Sequence, residues 1–192
     1  SIDFTVNPVL VEVNNTIAVK LVANSTAPTG EVRIIVNKKS YTIILDDGEG
    51  SVVIDQLPYT GQAYSVIAEY LGDENYESAS AETEFIILRN DLTLTINYME
   101  FNQYKVGTNT AILIKPDTSR LTEKLHVKLN GTEYDLDYNS ELEGFLLEND
   151  TLFSGSHLIL ANYYGDDLYN AAVVNSTFTI NKWDSSLDVK AS

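Results

Sequence analysis

A seven-residue pattern occurs twice in this chain of 192 residues. Tyr70 to Tyr76 reads Y-L-G-D-E-N-Y, and Tyr163 to Tyr169, 93 positions later, reads Y-Y-G-D-D-L-Y. A repeat at a fixed offset is typical of one structural unit built more than once. The same offset aligns further positions in order and without gaps: Asn37 with Asn130, Tyr41 with Tyr134, Ala68 with Ala161, Ala79 with Ala172, Phe85 with Phe178 and Ile87 with Ile180.

The repeat predicts the domain organisation. It assigns residues 1–90 to a first repeat and residues 91–183 to a second, with no Gly- or Ser-rich spacer between them. Residues 184–192 are predicted to be the first strand of a third repeat or a tail. Three positions at the first junction recur at the second: Asp91, Leu94 and Ile96 correspond to Asp184, Leu187 and Val189.

Within each repeat, apolar and polar residues alternate with a period of two. Residues 31–37 read E-V-R-I-I-V-N, and residues 124–130 read K-L-H-V-K-L-N. This alternation, with its β-branched and aromatic residues, predicts half-buried antiparallel strands. Turn-forming residues separate about seven such runs in the first repeat, near 2–6, 16–22, 31–37, 40–45, 51–55, 63–70 and 82–88. The fold class is therefore predicted to be all-β, as two tandem immunoglobulin-like antiparallel β-sandwiches of about seven strands each.

The duplicated pattern is interpreted as a structural motif. Tyr64 follows Leu57-Pro58 at the start of a predicted strand, as in the tyrosine corner of such sandwiches, and His157 takes its place in the second repeat. The glycines are expected to supply a positive φ, and the aspartates to accept hydrogen bonds from turn amides. The tyrosines are expected to fold over the end of the sandwich. The motif residues are Tyr70, Gly72, Asp73, Tyr76, Tyr163, Gly165, Asp166 and Tyr169.

A calcium site in the same loops is the alternative interpretation. In the first repeat it would use Asp73, Glu74 and Glu77, and in the second Asp166 and Asp167. Because Asn170 stands where Glu77 would recur, the second loop lacks one of the three carboxylates. The structural interpretation is therefore favoured, and no cofactor is predicted.

The pattern resembles a known group of repeats. The stretches A-E-Y-L-G-D-E-N-Y-E-S-A-S and A-N-Y-Y-G-D-D-L-Y-N-A-A, closing on Phe85 and Phe178, are similar to the Ig-like repeats of bacterial and archaeal surface proteins. The Asn-, Ile-, Asp- and Tyr-rich composition looks most like the adhesin-like proteins of methanogenic archaea. The resemblance implies an extracellular, cell-surface location and a tandem array that serves in adhesion, and it brings no catalytic or ligand-binding residues.

Charge and cysteine content exclude several classes of function. The net charge is −16, with −8 on residues 1–90 and −8 on residues 91–192, so neither nucleic acid nor an anionic membrane is an expected partner. No apolar run is long enough for direct insertion into a membrane. Without any Cys, disulfides, thiolate metal sites and cysteine nucleophiles are excluded.

No catalytic residue is predicted. The two histidines, His126 and His157, have no recognisable partner in sequence and are assigned structural roles. A Lys–Asn isopeptide crosslink requires a buried lysine, and Lys20, Lys38 and Lys39 lie at outward or turn positions. Five N-x-[S/T] sequons are candidates for N-glycosylation: Asn14, Asn24, Asn130, Asn149 and Asn175.

The leading functional prediction is a non-enzymatic adhesin or stalk module, in which each repeat adds about 30–40 Å and presents a binding region for cell attachment. Its expected partners are adjacent Ig-like repeats in the same chain, together with another cell surface or a glycan. The alternative is a carbohydrate-binding or accessory domain pair of a secreted enzyme. An exposed row of aromatic side chains would favour the alternative, and the residues that such a row would contain are Tyr138, Tyr163, Tyr164 and Trp183.

Overall fold

The computed structural model describes residues 1–99 and 104–187. The all-β prediction is confirmed: the described residues form sixteen strands and no helix. No helix in this part of the chain is therefore long and apolar enough to cross a membrane. The chain contacts divide the protein into two compact units, unit one from residue 1 to 90 and unit two from residue 91 to 192.

Unit one consists of two antiparallel sheets and a short parallel pair. A three-stranded sheet has the order β1-β3-β6, and a four-stranded sheet has the order β5-β4-β7-β8. This order is immunoglobulin-like, and strands β2 and β9 pair in parallel beside the two sheets. The strands are β1 Ile2–Thr5, β2 Val9–Leu10, β3 Asn15–Leu21, β4 Glu31–Val36, β5 Lys39–Ile44, β6 Glu49–Ile54, β7 Tyr64–Tyr70, β8 Ala79–Phe85 and β9 Ile87–Leu88.

Unit two has the same arrangement. Its three-stranded sheet has the order β10-β11-β14 and its four-stranded sheet the order β13-β12-β15-β16. A single parallel bridge between Lys105 and Asn181 stands where unit one has the β2–β9 pair. The strands are β10 Leu94–Tyr98, β11 Thr110–Pro116, β12 Leu125–Leu129, β13 Thr132–Leu136, β14 Phe145–Asn149, β15 Gly155–Tyr163 and β16 Ala172–Ile180.

The core of each unit consists of the inward-facing residues of its two sheets, as in other β-sandwiches. In unit one, Ile17 and Ile54 on the three-stranded sheet are buried, as are Ile34, Val66 and Ala68 on the four-stranded sheet. The corresponding core of unit two is one continuous cluster that includes Ile112, Phe145, Val127, Ile159 and Tyr163. With no disulfide in the chain, burial of apolar surface is the main force that holds the sheets together.

The last predicted strand of unit one, residues 82–88, is divided in the structure. β8 ends at Phe85 and β9 begins at Ile87, with Ile86 between them exposed. The division arises because the chain changes partner: β8 pairs antiparallel with β7, whereas β9 pairs parallel with β2. Sequence alternation does not show such a change, because the residues on both sides of it remain extended.

A two-residue turn connects β4 to β5 and β12 to β13. In unit one both turn residues have positive φ, 47° at Asn37 and 63° at Lys38. In unit two the same places hold Asn130, with φ 50°, and Gly131, with φ 93°. Type I′ hairpin turns require two positive φ angles and therefore favour Asn-Gly. Lys38 adopts this conformation at a cost that Gly131 avoids.

We expect Lys38→Gly to stabilise unit one and Gly131→Lys to destabilise unit two, each by about 1 kcal/mol, because only the backbone strain at the second turn residue changes. Amide hydrogen exchange in β4 and β5 would measure the first effect. Urea unfolding followed by the fluorescence of Trp183, which lies in unit two and is the only Trp of the chain, would measure the second. Changes of the same sign in both variants would contradict this explanation.

Candidate functional site

The carboxylate of Asp73 connects two loops at one end of unit one. Its Oδ1 accepts hydrogen bonds from the backbone N–H groups of Asn75 and Tyr76, at 2.7 and 2.8 Å, within its own loop. Its Oδ2 accepts from the backbone N–H of Thr29 at 2.8 Å and from the hydroxyl of Thr29 at 3.2 Å. Thr29 lies in the loop between β3 and β4, so one side chain joins that loop to the loop between β7 and β8.

The two tyrosines of the motif strengthen this connection. Tyr70 is buried at the end of β7, and its hydroxyl donates to the carbonyl of Thr29 at 3.0 Å. Tyr76 lies over the end of the sandwich, and its hydroxyl donates to the carbonyl of Thr26 at 2.6 Å. We refer to this arrangement of Thr29, Tyr70, Asp73 and Tyr76 as the Tyr-Asp clasp of unit one.

Unit two contains a second Tyr-Asp clasp, formed by Thr122, Tyr163, Asp166 and Tyr169. Oδ1 of Asp166 accepts from the backbone N–H groups of Leu168 and Tyr169, at 2.8 and 2.7 Å. Its Oδ2 accepts from the hydroxyls of Tyr163 at 2.6 Å and Thr122 at 3.3 Å. The same loops are therefore joined by the same residue types in both units.

The glycine between the first tyrosine and the aspartate is required by the tightness of the loop. Gly72 has a φ of 92° and Gly165 a φ of 89°, both in the region that favours glycine. A Cβ at Gly72 would lie 2.7 Å from the carbonyl oxygen of Tyr76 and 3.1 Å from the backbone nitrogen of Ser78. The chain closes on itself too tightly at this point for any side chain.

Hydrogen bonding and burial shift the pKa values of the clasp residues. The backbone N–H of Thr29, followed by that of Asn75, holds the pKa of Asp73 far below its usual range. Burial alone would raise the pKa of Asp166, but hydrogen bonds from Tyr163 and from its own loop outweigh it and lower the pKa. Burial, followed by contact with the aspartate, raises the pKa of Tyr70 and of Tyr163 to about 12.

The sequence interpretation missed Thr29 and Thr122. Thr29 lies just before β4 and Thr122 just before β12, and each donates to the clasp aspartate of its unit. The signal that identifies them is the repeat itself, because Thr29 and Thr122 also lie 93 positions apart. Because threonine is common in strands and turns, one Thr–Thr match at this offset, outside the motif, is not enough to predict a role.

Tyr64 and His157 occupy equivalent places at the start of β7 and β15. The hydroxyl of Tyr64 donates to the carbonyl of Pro58 at 2.9 Å, the hydrogen bond of a tyrosine corner. The fully buried His157 has its Nε2 2.7 Å from the carbonyl of Phe153, and its Nδ1 is bonded to the side-chain amide of Asn130. The two rings differ, but each binds the preceding crossover to the strand.

The carboxylates proposed for calcium do not converge. The oxygens of Asp73 and Asp166 accept hydrogen bonds from the chain itself, and Glu74, Glu77 and Asp167 are exposed. Within the residues that the structure describes, no three Asp, Glu or His side chains are placed to hold a metal ion. The hydrogen bonds of the two aspartates are those that the structural interpretation expects, and the choice between it and the calcium alternative stays a prediction.

The four aromatic residues expected to form an exposed row do not form one. Tyr163 is buried and belongs to the clasp. Tyr138 packs edge-on against Phe145, with ring centroids 5.5 Å apart. Trp183 is half-exposed, and its Nε1 donates to the carbonyl of Val106 at 3.0 Å. Of the four, Tyr164, just beyond the end of β15, is the most exposed.

His126 has a partner that the sequence interpretation overlooked. Its Nδ1 lies 2.6 Å from the Oδ1 of Asp135, which faces it across the β12–β13 hairpin. The sequence analysis recognised no partner for His126, and the assignment of a structural role to it stays a prediction. The sequence Asn130-Gly131 could have predicted this pairing, because a two-residue hairpin turn at these residues places residue 126 opposite residue 135.

The five sequon asparagines differ in the surroundings of their amide nitrogens. Asn14, Asn24 and Asn175 are exposed. The Nδ2 of Asn149 donates to the hydroxyl of Tyr134 at 3.1 Å, and that of Asn130 is bonded to His157. Sugar attachment at these last two positions would compete with hydrogen bonds of the fold.

The predicted start of a third repeat lies at the edge of the described chain. Asp184 and Leu187 are outside any strand, and Leu187 is fully exposed. Val189 lies outside the described residues. The assignment of residues 184–192 stays a prediction.

No protein-family model matches the chain, and no curated protein matches its sequence. Among solved structures, the chain is similar to a bacterial ice-binding adhesin, with 11% identity and a TM-score of 0.38 over 95% of this chain and 64% of that one. It is similar to a Ca²⁺-stabilised adhesin of an Antarctic bacterium, with 12% identity and a TM-score of 0.36 over 95% of this chain and 48% of that one. It is also similar to a titin fragment, with 14% identity and a TM-score of 0.35 over 95% of this chain and 99% of that one. The chain thus spans less than two thirds of each adhesin chain.

We expect Asp166→Asn to destabilise unit two at neutral pH. A carboxyl group with a lowered pKa stabilises the fold above its unfolded pKa of about 4 and loses this contribution as the pH falls toward its folded pKa. The difference from the wild type should therefore shrink below about pH 4. Urea unfolding followed by Trp183 fluorescence measures it. Asp167→Asn removes the same charge from an exposed neighbour and should have little effect, whereas equal losses in both variants would contradict the clasp.

Treatment with EDTA should leave the melting temperature of both units unchanged, since hydrogen bonds from the chain occupy the carboxylates of Asp73 and Asp166. Differential scanning calorimetry with and without added calcium checks this expectation. A fall of several degrees that calcium restores would show instead that the loops bind the metal.

Proposed function

We propose that this chain is a pair of non-enzymatic Ig-like repeats, residues 1–90 and 91–183, that transmits tension within a cell-surface adhesin or stalk. Residues 184–192 would begin the next repeat or form a tail. The observation that carries the proposal is the parallel pairing of the segment that follows the first strand of each unit with the last segment of that unit. The similarity to adhesin-like proteins of methanogenic archaea stays a proposal based on the repeated motif.

In unit one the parallel pair is continued by a backbone hydrogen bond from Val11 to the carbonyl of Leu88, at 2.8 Å. In unit two, Asn181 donates to the carbonyl of Tyr104 at 2.7 Å and accepts from the N–H of Val106 at 3.1 Å. Each unit is therefore closed by hydrogen bonds between a segment near its start and the segment through which the chain leaves.

This geometry decides how a unit responds to a pull on its ends. Tension reaches the entering segment at its N-terminal end and the leaving segment at its C-terminal end, and in a parallel pair these are opposite ends. The hydrogen bonds are then loaded along the strands and must break together, whereas an antiparallel pair pulled from one end opens one bond at a time. A repeat closed in this way is suited to carrying load.

Charge and composition agree with display outside the cell. Each unit carries a net charge of −8, so neighbouring copies of the chain repel one another. The absence of Cys means that stability does not depend on the redox state of the surroundings. The partners that follow from this proposal are adjacent repeats of the same chain and the surface to which the parent protein attaches.

Pulling the chain by its ends in a single-molecule force experiment should give two unfolding events, each releasing about 300 Å from roughly 90 residues at about 3.5 Å each. Val106→Pro should lower the unfolding force of unit two. The change removes the hydrogen bond from Val106 to Asn181, while the ring fits the first central position of the turn from Lys105 to Thr108, whose second central residue is Gly107 with a φ of 77°.

Val106→Ala keeps the backbone N–H and is the matched control, with an unchanged unfolding force expected. The event of unit one should also be unchanged in both variants. Equal unfolding forces for the Pro and Ala variants, with unit two folded in both by Trp183 fluorescence, would refute the load-bearing role of the parallel pair.

A further inference from the structure

A depression of about 120 Å³ lies on the outer face of the four-stranded sheet of unit two. Three strands form it, since Asp135 on β13, His126 on β12 and Asn162 on β15 stand in one row across the sheet. Beyond the end of β15, Tyr164 forms one wall, and the ion pair of Lys128 with Glu133 lies on the neighbouring row. None of these residues belongs to the core or to the Tyr-Asp clasp.

The contact between His126 and Asp135 determines which ring nitrogen of His126 carries the proton. A carboxylate only accepts hydrogen bonds, so Nδ1 of His126 carries the proton in the 2.6 Å contact. In the neutral ring this leaves Nε2 with its lone pair, and no group of the described residues is found hydrogen-bonded to it. Nε2 is therefore an acceptor for the hydroxyl of a ligand.

Tyr164 supplies an apolar surface next to these polar groups. The residue is 68% exposed, and its ring centroid lies 4.7 Å from that of His126. The preceding residue, Tyr163, ends β15 and is buried, whereas Tyr164, just past the strand, is exposed. The ring offers a ligand an apolar face on which to stack, and the polar groups beside it can orient that ligand.

Unit one shows that the fold does not require these residues. At the positions equivalent to His126, Asp135 and Asn162 it has Arg33, Thr42 and Glu69, and the guanidinium of Arg33 donates to Glu69 at 2.8 Å. At the position of Tyr164 it has Leu71. The motif and core residues recur between the units, whereas this face differs at each of these positions.

We propose that the depression binds a saccharide by one sugar ring. The apolar C–H face of the ring would stack on Tyr164. Its hydroxyls would donate to Nε2 of His126 and to the carboxylate of Asp135, and would exchange hydrogen bonds with the side-chain amide of Asn162. An anionic ligand is disfavoured by Glu133, Asp135 and the net charge of the chain. This inference goes beyond the load-bearing function and does not rest on it.

Titration of the full chain with the methyl glycosides of glucose, galactose, mannose and N-acetylglucosamine, followed by backbone amide NMR, tests the proposal. At least one sugar should shift resonances of β12, β13 and Tyr164, with a dissociation constant on the order of 1 mM. Tyr164→Ala and His126→Ala should each weaken binding by about tenfold or more. Leu71→Ala, the equivalent exposed position of unit one, should leave binding unchanged.

Two outcomes would overturn the proposal. The first is no shift with any of the four sugars, and the second is a shift that Tyr164→Ala leaves intact while the rest of its spectrum matches the wild type. In the first case, a shift of these resonances by tetramethylammonium chloride would assign the site to a cationic group held by the ring and the acids. The unfolding force of unit two, measured on the same variants, tests the load-bearing function separately from sugar binding.

Discussion

The hydrogen bonds of one carboxylate in each unit hold together the loops that the hydrophobic core cannot reach. The loops at the end of a sandwich expose backbone N–H groups that need partners, and they bury little apolar surface. Asp73 satisfies such groups in two loops at once, and Asp166 does so in unit two. Tyr70 and Tyr163 connect this polar centre to the core, because their rings are buried among apolar residues while their hydroxyls reach the clasp.

The two units provide an internal comparison of what the fold needs and what it leaves free. The clasp residues, the inward faces of the strands and the Asn at each hairpin turn recur. The outer face of the four-stranded sheet differs: an ion pair of Arg33 and Glu69 stands in unit one where His126 and Asn162 stand in unit two. Both sets are compatible with the same backbone, so their chemistry is available for a function other than folding.

The two proposed roles occupy different parts of a unit. In the proposed load-bearing role, tension would pass through the parallel hydrogen bonds near Leu88 and Asn181, where the chain leaves each unit. The saccharide site lies on a sheet face of unit two, around His126 and Tyr164. A repeat can therefore act as a spacer in every copy and bind a ligand only in the copies whose outer face has the right residues.

The sequence by itself determined the all-β class, the two-sheet pattern and the duplicated loops, because alternation and repeat spacing are local properties that appear directly in the order of residues. It also identified Asp73 and Asp166 as turn residues. It did not identify Thr29, the change of partner at Ile86 or the pairing of His126 with Asp135. These depend on which strands become neighbours, and that is decided only when two sheets pack face to face and bring residues distant in sequence within hydrogen-bonding distance.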